Sequence, residues 1–159
     1  MDALDRVREG LARAGLDPGL VRNLPADTST AETAARAVSA PLGSIVKSLI
    51  FLADGAPLLV LVAGDRRADV KLLRAALGLS KKRLRIATPE EVLAATGFEV
   101  GGVPPVGHHV PLRTLVDASL ARFDTVWAAA GSGHAVFPIA YRRLLDVTSG
   151  QVLDLAEQG

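Results

Sequence analysis

The chain contains no cysteine. That absence removes a disulfide framework, a thiolate nucleophile and thiolate metal ligands from consideration, and it fits a reducing cytoplasm. Net charge is nearly absent too: 18 basic residues face 17 acidic ones, so no global basic field announces nucleic acid. The start, Met1-Asp2-Ala3-Leu4-Asp5-Arg6, lacks the basic-then-apolar layout of a secretory signal. The longest apolar runs, such as Leu58 to Ala63, are far too short to span a bilayer. There is no internal repeat, low-complexity tract or linker. The expectation is one soluble cytoplasmic domain over residues 1–159.

What is present is a core. Nearly half the residues are apolar and they run the whole length, which excludes disorder. Leu4, Val7 and Leu11 repeat at helical spacing from Asp2 to Ala14, before Gly15. Ser29-Thr30-Ala31-Glu32 reads as a capping box opening a second helix through Val38, which Pro41 and Gly43 end. Ile45–Leu52 and Leu58–Ala63, split by Asp54-Gly55, read as a hairpin of buried strands. A helix is expected over Asp69–Leu77, a short strand over Leu84–Ala87, and a helix from Thr88-Pro89-Glu90-Glu91 to Thr96. A loop rich in Gly and Pro fills Gly97 to His109. Strands are expected at Arg113–Val116, Thr125–Ala130, Ala135–Ile139 and Gln151–Leu155, with a helical turn at Tyr141–Leu145. Strands outnumber helices without regular alternation, so the fold class is α+β with a mixed, partly barrel-like sheet flanked by helices.

Lys47 stands in Ile45-Val46-Lys47-Ser48-Leu49-Ile50-Phe51-Leu52, an otherwise apolar strand. Alternation puts it on the face of Ile45, Leu49 and Phe51. Two readings stand: an edge-strand lysine whose stem packs while its head reaches water, or a buried ammonium kept because it is paired, lowered in pKa or beside a pocket. Gly101-Gly102 followed by Pro104-Pro105 make a loop both permissive and stiff, able to bring backbone N–H groups close to a ligand. Ala130-Gly131-Ser132-Gly133-His134 is a second glycine loop, but neither a dinucleotide fingerprint nor a phosphate loop. Ser132 and His134 lack a nucleophile-elbow context. His108, His109, His134 and Asp117 have no metal-binding spacing, so no metal is expected. Asp65 and Asp69 read as a turn and a helix cap with surface ion pairs rather than paired acid–base carboxylates. Arg66, Arg67, Lys71, Arg74, Lys81, Lys82, Arg83 and Arg85 form a local basic cluster, either a solvated face or a phosphate-contacting patch.

In order, Lys47-Ser48-Leu49-Ile50-Phe51, Ala63-Gly64-Asp65-Arg66-Arg67-Ala68-Asp69, Thr96-Gly97-Phe98-Glu99-Val100-Gly101-Gly102-Val103-Pro104-Pro105-Val106-Gly107, Val116-Asp117 and Ala129-Ala130-Gly131-Ser132-Gly133 resemble the YbaK/prolyl-tRNA synthetase-associated deacylase family across residues 28–155. The resemblance implies a free-standing hydrolase that cleaves the ester of a mischarged aminoacyl-tRNA, with proline tRNA carrying a wrong small amino acid as the expected substrate. It implies catalytic roles for Lys47, Gly101 and Gly102 and substrate binding by Ser48, Pro105, Gly131, Ser132, Gly133 and His134. Lys81, Lys82 and Arg85 are the expected tRNA contacts. No metal or organic cofactor is implied; the partners are the tRNA acceptor end and prolyl-tRNA synthetase. Alanine-specific members carry a His-Pro context at the last pocket loop, where this chain has Gly133-His134-Ala135-Val136-Phe137. The acyl specificity and the role of His134 therefore stay open, as does a non-catalytic reading in which the same fold only binds tRNA ends or a synthetase.

Overall fold

Caps and turns set the element boundaries in the computed structural model, which describes residues 1–157. Helix α1 (Ala3–Arg13) opens at Asp2, whose carboxylate accepts the Asp5 N–H while Asp5 reaches back. Helix α2 (Ala31–Val38) opens at Thr30 with Thr33 as its reciprocal partner. The capping box expected at Ser29 is thus displaced by one residue, because Ser29 donates its N–H and hydroxyl to Asp27 in a local turn. Helix α3 (Val70–Leu77) runs from the Asp69 cap to Gly78, and α4 (Pro89–Thr96) from the Thr88–Glu91 box to Gly97. Helix α5 (Tyr141–Thr148) continues past the expected single turn.

The strands are β1 (Arg22–Asn23), β2 (Val46–Ala53), β3 (Ala56–Ala63), β4 (Leu84–Ile86), β5 (Arg113–Asp117), β6 (Thr125–Ala129), β7 (Ala135–Ala140) and β8 (Gln151–Leu153). They form a mixed sheet in the order β4-β2-β3-β5-β8 and an antiparallel sheet in the order β1-β7-β6. The pairs β3–β5 and β5–β8 are parallel. The fold is α+β, as expected, but the partly barrel-like sheet is not found. Closure would need a continuous staggered ladder between the sheets; instead β2 and β6 approach through one parallel bridge, Ile45 to Trp127, because β6 spends its length pairing with β7. Strand β8 also stops before the expected Leu155. That residue gives its N–H to the buried Asp117 carboxylate at 2.7 Å and accepts the Asp69 N–H.

The larger sheet is covered on both faces, which is why β3 reads as an unbroken apolar run. Leu59, Leu61 and Ala63 turn toward Val7 and Leu11 of α1 and toward Val126, Phe137 and Ile139 of the second sheet. Leu58, Val60 and Val62 turn the other way, toward Leu73 of α3, Leu84 and Leu115. Each of the Leu and Val side chains among them contributes about 1.5–3 kcal/mol of transfer free energy when fully buried. Helix α1 also braces the 97–109 loop: Arg6 donates to the Gly97 carbonyl at 2.7 Å and lies 4.6 Å over the Phe98 ring. Among the described residues no helix is long and apolar enough to cross a membrane.

Candidate active site

Strand β2 has a free edge. It pairs with β4 only from Phe51 to Ala53, so its first half has β3 on one side and no ladder on the other. The two-residue turn Asp54-Gly55, at φ 52° and 84°, fixes the phase of the hairpin. Lys47, Leu49 and Phe51 exchange hydrogen bonds with β3, whereas Val46, Ser48 and Ile50 direct their peptide groups outward. The Ile50 carbonyl shows this phase by accepting the Ala87 N–H at 2.9 Å. Beside the free edge, where β2 and β6 splay from their single bridge, lies a cavity of about 310 Å³. Its walls are Val46–Leu49 of β2, Trp127–Ala129 of β6, the α2 start with Thr28 and Glu32, and Gly101 with Val103. That size suits a small organic group.

Lys47 is half-buried at the mouth of this cavity. Its ammonium donates to the Arg66 carbonyl, and no ion pair among the described residues includes it. Burial holds its pKa below the ordinary lysine value; Arg67 pushes the same way, against Glu32 and Asp65. Two hydroxyls in the cavity wall, Thr28 Oγ1 and Ser48 Oγ, are buried without a protein partner.

The two glycine loops meet behind the cavity. Gly101, at φ 91°, lines it, in a conformation that a side chain would strain. Gly102 gives its N–H to the Glu99 carbonyl at 3.0 Å and accepts the Gly131 N–H at 2.9 Å. A Cβ on Gly102 would stand 2.7 Å from the Ser132 nitrogen, so only glycine permits this contact between backbones. Gly131, Ser132 and Gly133 face a neighbouring depression with Gly102, Arg6 and Phe98. Pro105 is buried outside the cavity lining. His134 is exposed, its Nδ1 3.0 Å from the Ala26 carbonyl. Of the residues singled out in the sequence, Lys47, Ser48 and Gly101 come together around one cavity; the others stand beside or away from it. Thr28, Glu32 and Trp127 join them there. Their sequence context reads only as a helix cap and a core strand, so nothing in it marked them.

The basic stretch divides. Lys81 and Lys82 are exposed and in no ion pair among the described residues. Arg83 pairs with Asp54 at 2.5 Å. Arg85 holds both Glu91 oxygens at 2.7 Å, which pulls the Glu91 pKa down to about 2. Asp65 takes both amino groups of Arg122, and Asp69 caps α3, so neither is half of an acid–base pair. His108 Nε2 lies 2.6 Å from the Pro104 carbonyl, and burial holds its pKa low. Among the described residues, no three His, Asp or Glu side chains are grouped to hold a metal ion.

Against known proteins, the model of the aminoacyl-tRNA editing domain matches residues 25–147. The uncharacterised protein YwhH of Bacillus subtilis is 34% identical over 133 residues, 83% of each chain. The proline–tRNA ligase of Solidesulfovibrio magneticus is 39% identical over 105 residues, which are 66% of this chain and 18% of the ligase. A solved structure described as a candidate trans-editing enzyme for prolyl-tRNA synthetase superposes at a TM-score of 0.91 with 43% identity, covering 99% of both chains.

Proposed function

The chain belongs to the aminoacyl-tRNA editing domain family, and from that premise we propose that it hydrolyses the ester of mischarged aminoacyl-tRNA, acting free-standing in the cytoplasm behind prolyl-tRNA synthetase. The observation that carries this is Lys47: an ammonium without a carboxylate partner, at the mouth of a small cavity on a free strand edge. The likeness to a candidate trans-editing enzyme for prolyl-tRNA synthetase supports the editing role behind that synthetase, and the cavity's size supports a small acyl group.

Ester hydrolysis puts charge on the carbonyl oxygen as water attacks. In this reading Lys47 positions the carbonyl or the neighbouring phosphate, and the cavity-lining Gly101 offers its N–H to the oxyanion. We assign that donor to Gly101 rather than Gly102, whose N–H is already given to Glu99. Such a donor is worth about 10²–10³ in rate. Ser48 and Thr28 would touch the acyl group, while Gly131, Ser132, Gly133, Pro105 and His134 would shape the cavity through the loop contacts behind it. Lys81 and Lys82, with Arg85 once it leaves Glu91, would meet phosphates without reading sequence. The reaction would need no metal in this reading: His108 and His134 each lie against a backbone carbonyl and Asp117 caps a turn, and among the described residues no three His, Asp or Glu side chains are grouped. The test is deacylation of a panel of mischarged tRNAs, beginning with proline tRNA bearing small non-cognate amino acids. Binding without hydrolysis of any of them would replace the enzyme reading by the binding-module one.

A further inference from the structure

Three depressions lie end to end along β2. The cavity shares Lys47 and Leu49 with a groove that continues over Phe51, Val70 and Ile86, flanked by Arg67 and Arg85. That groove shares Arg85 with a third depression reaching Leu52, Gly55 and Lys82, whose one carboxylate, Asp54, is held by Arg83. From Lys47 to Ala53 the strand advances about 20 Å at about 3.3 Å per residue. The groove floor is apolar yet open, with Ile86 60% and Val70 45% exposed. No acidic side chain lines the groove, and Arg67 is in no ion pair among the described residues.

We propose that this track seats the single-stranded 3′ end of the RNA. The acyl group enters the cavity, the terminal base lies flat on the aliphatic floor of Leu49, Val70 and Ile86, and the preceding phosphates pass Arg67 toward Lys82. The inference rests on the editing reading above for its ligand. An open apolar floor with cations along its rim matches a nucleotide, whose base has an uncharged face and whose linker is an anion; every base has such a face, so the seat tolerates any sequence. An acidic peptide would also use the cations, but only the RNA end delivers an acyl ester to the cavity at the head of the track. The track also brings Lys82, set at the far end of the hairpin from Lys47, into the same site.

The experiment titrates the folded protein with two probes, a fluorescent single-stranded RNA of tRNA 3′-terminal sequence and whole uncharged tRNA. Arg67→Glu should weaken both several-fold and flatten the log–log salt dependence by about 0.7 per lost phosphate contact. Ile86→Ser should weaken both with the salt slope unchanged; at 60% exposure the residue carries little of the core. Arg142→Glu, exposed on α5 and outside all three linings, is the charge-matched control and should bind as the parent. Equal losses in Arg67→Glu and Arg142→Glu, or an unchanged slope in Arg67→Glu, overturn the track. Binding of duplex RNA but not the single strand overturns it as well. Because the probes carry no amino acid, track-dependent binding by a protein that hydrolyses no mischarged tRNA would uphold the track and remove the hydrolase reading alone.

Discussion

Replacing Lys47 by Met keeps most of the stem and removes the charge, so it separates structure from chemistry at one position. The ammonium has a single protein partner, the Arg66 carbonyl, and burial disfavours its charged form. A lost charge-assisted hydrogen bond costs about 1.5–3 kcal/mol when buried. Half-exposure discounts it, and release from desolvation opposes it. The two nearly cancel, leaving a stability change within about 1 kcal/mol and a Tm shift within about 4 °C. If the ammonium faces the carbonyl or phosphate, the deacylation rate should fall about 10²–10³-fold, on the order of 3–4 kcal/mol of barrier. Lys47→Arg should also be poor, because a planar fork does not replace a compact ammonium. The lowered pKa fixes the sign of the pH effect: deprotonation as pH rises removes the active form, so the rate declines on its alkaline limb below the ordinary lysine value of 10.5. That limb should vanish in Lys47→Met. The measurements are thermal melts followed by circular dichroism and single-turnover deacylation against pH. A folded Lys47→Met protein with near-parental turnover would refute the chemical role.

Gly102→Ala should cost about 1–3 kcal/mol by overpacking, since the new methyl meets the Ser132 backbone at 2.7 Å; an unchanged melting temperature would show that the two loops can part. Glu91→Gln should be less stable than the parent in urea melts at neutral pH. A depressed folded pKa gives stability that is present above about 4.5 and lost as pH falls through about 2, so the two proteins should converge at acid pH. Prolonged chelation should leave deacylation intact, and activity lost to chelation and restored by zinc would point to a site assembled from donors that now stand apart.

Local chemistry made much of the fold legible. Asp54-Gly55 can hold two positive φ angles, so the hairpin followed; Asp69 and Thr88 marked helix starts by side-chain hydrogen bonds, and Gly78 a helix end by its left-handed backbone. Strand β1 carried no signal, being two exposed residues held by β7. The missing barrel closure depended on how β6 leaves Ile45, a meeting of residues some 80 apart that no local pattern encodes. Lys47 was visible in the sequence because a charge interrupts an apolar strand. Trp127 was not, because an aromatic residue in a strand ordinarily means core. The glycine loops were found for their flexibility, yet Gly102 serves close packing.

The construction of the cavity also orders events in time. Strands β2 and β3 join through two residues, among the fastest contacts a chain makes. The parallel pairing of Leu58 with Arg113 must wait for the intervening chain to close on itself. The wall from β6 lies later still in the sequence, and the chamber draws on stretches from Thr28 to Val136. A nascent hairpin therefore presents Lys47 and Ser48 with nothing around them, a lysine on a ribbon with no preorganised donors beside it. Under the proposed hydrolysis, a chain that has formed only this hairpin should release no amino acid from a mischarged tRNA.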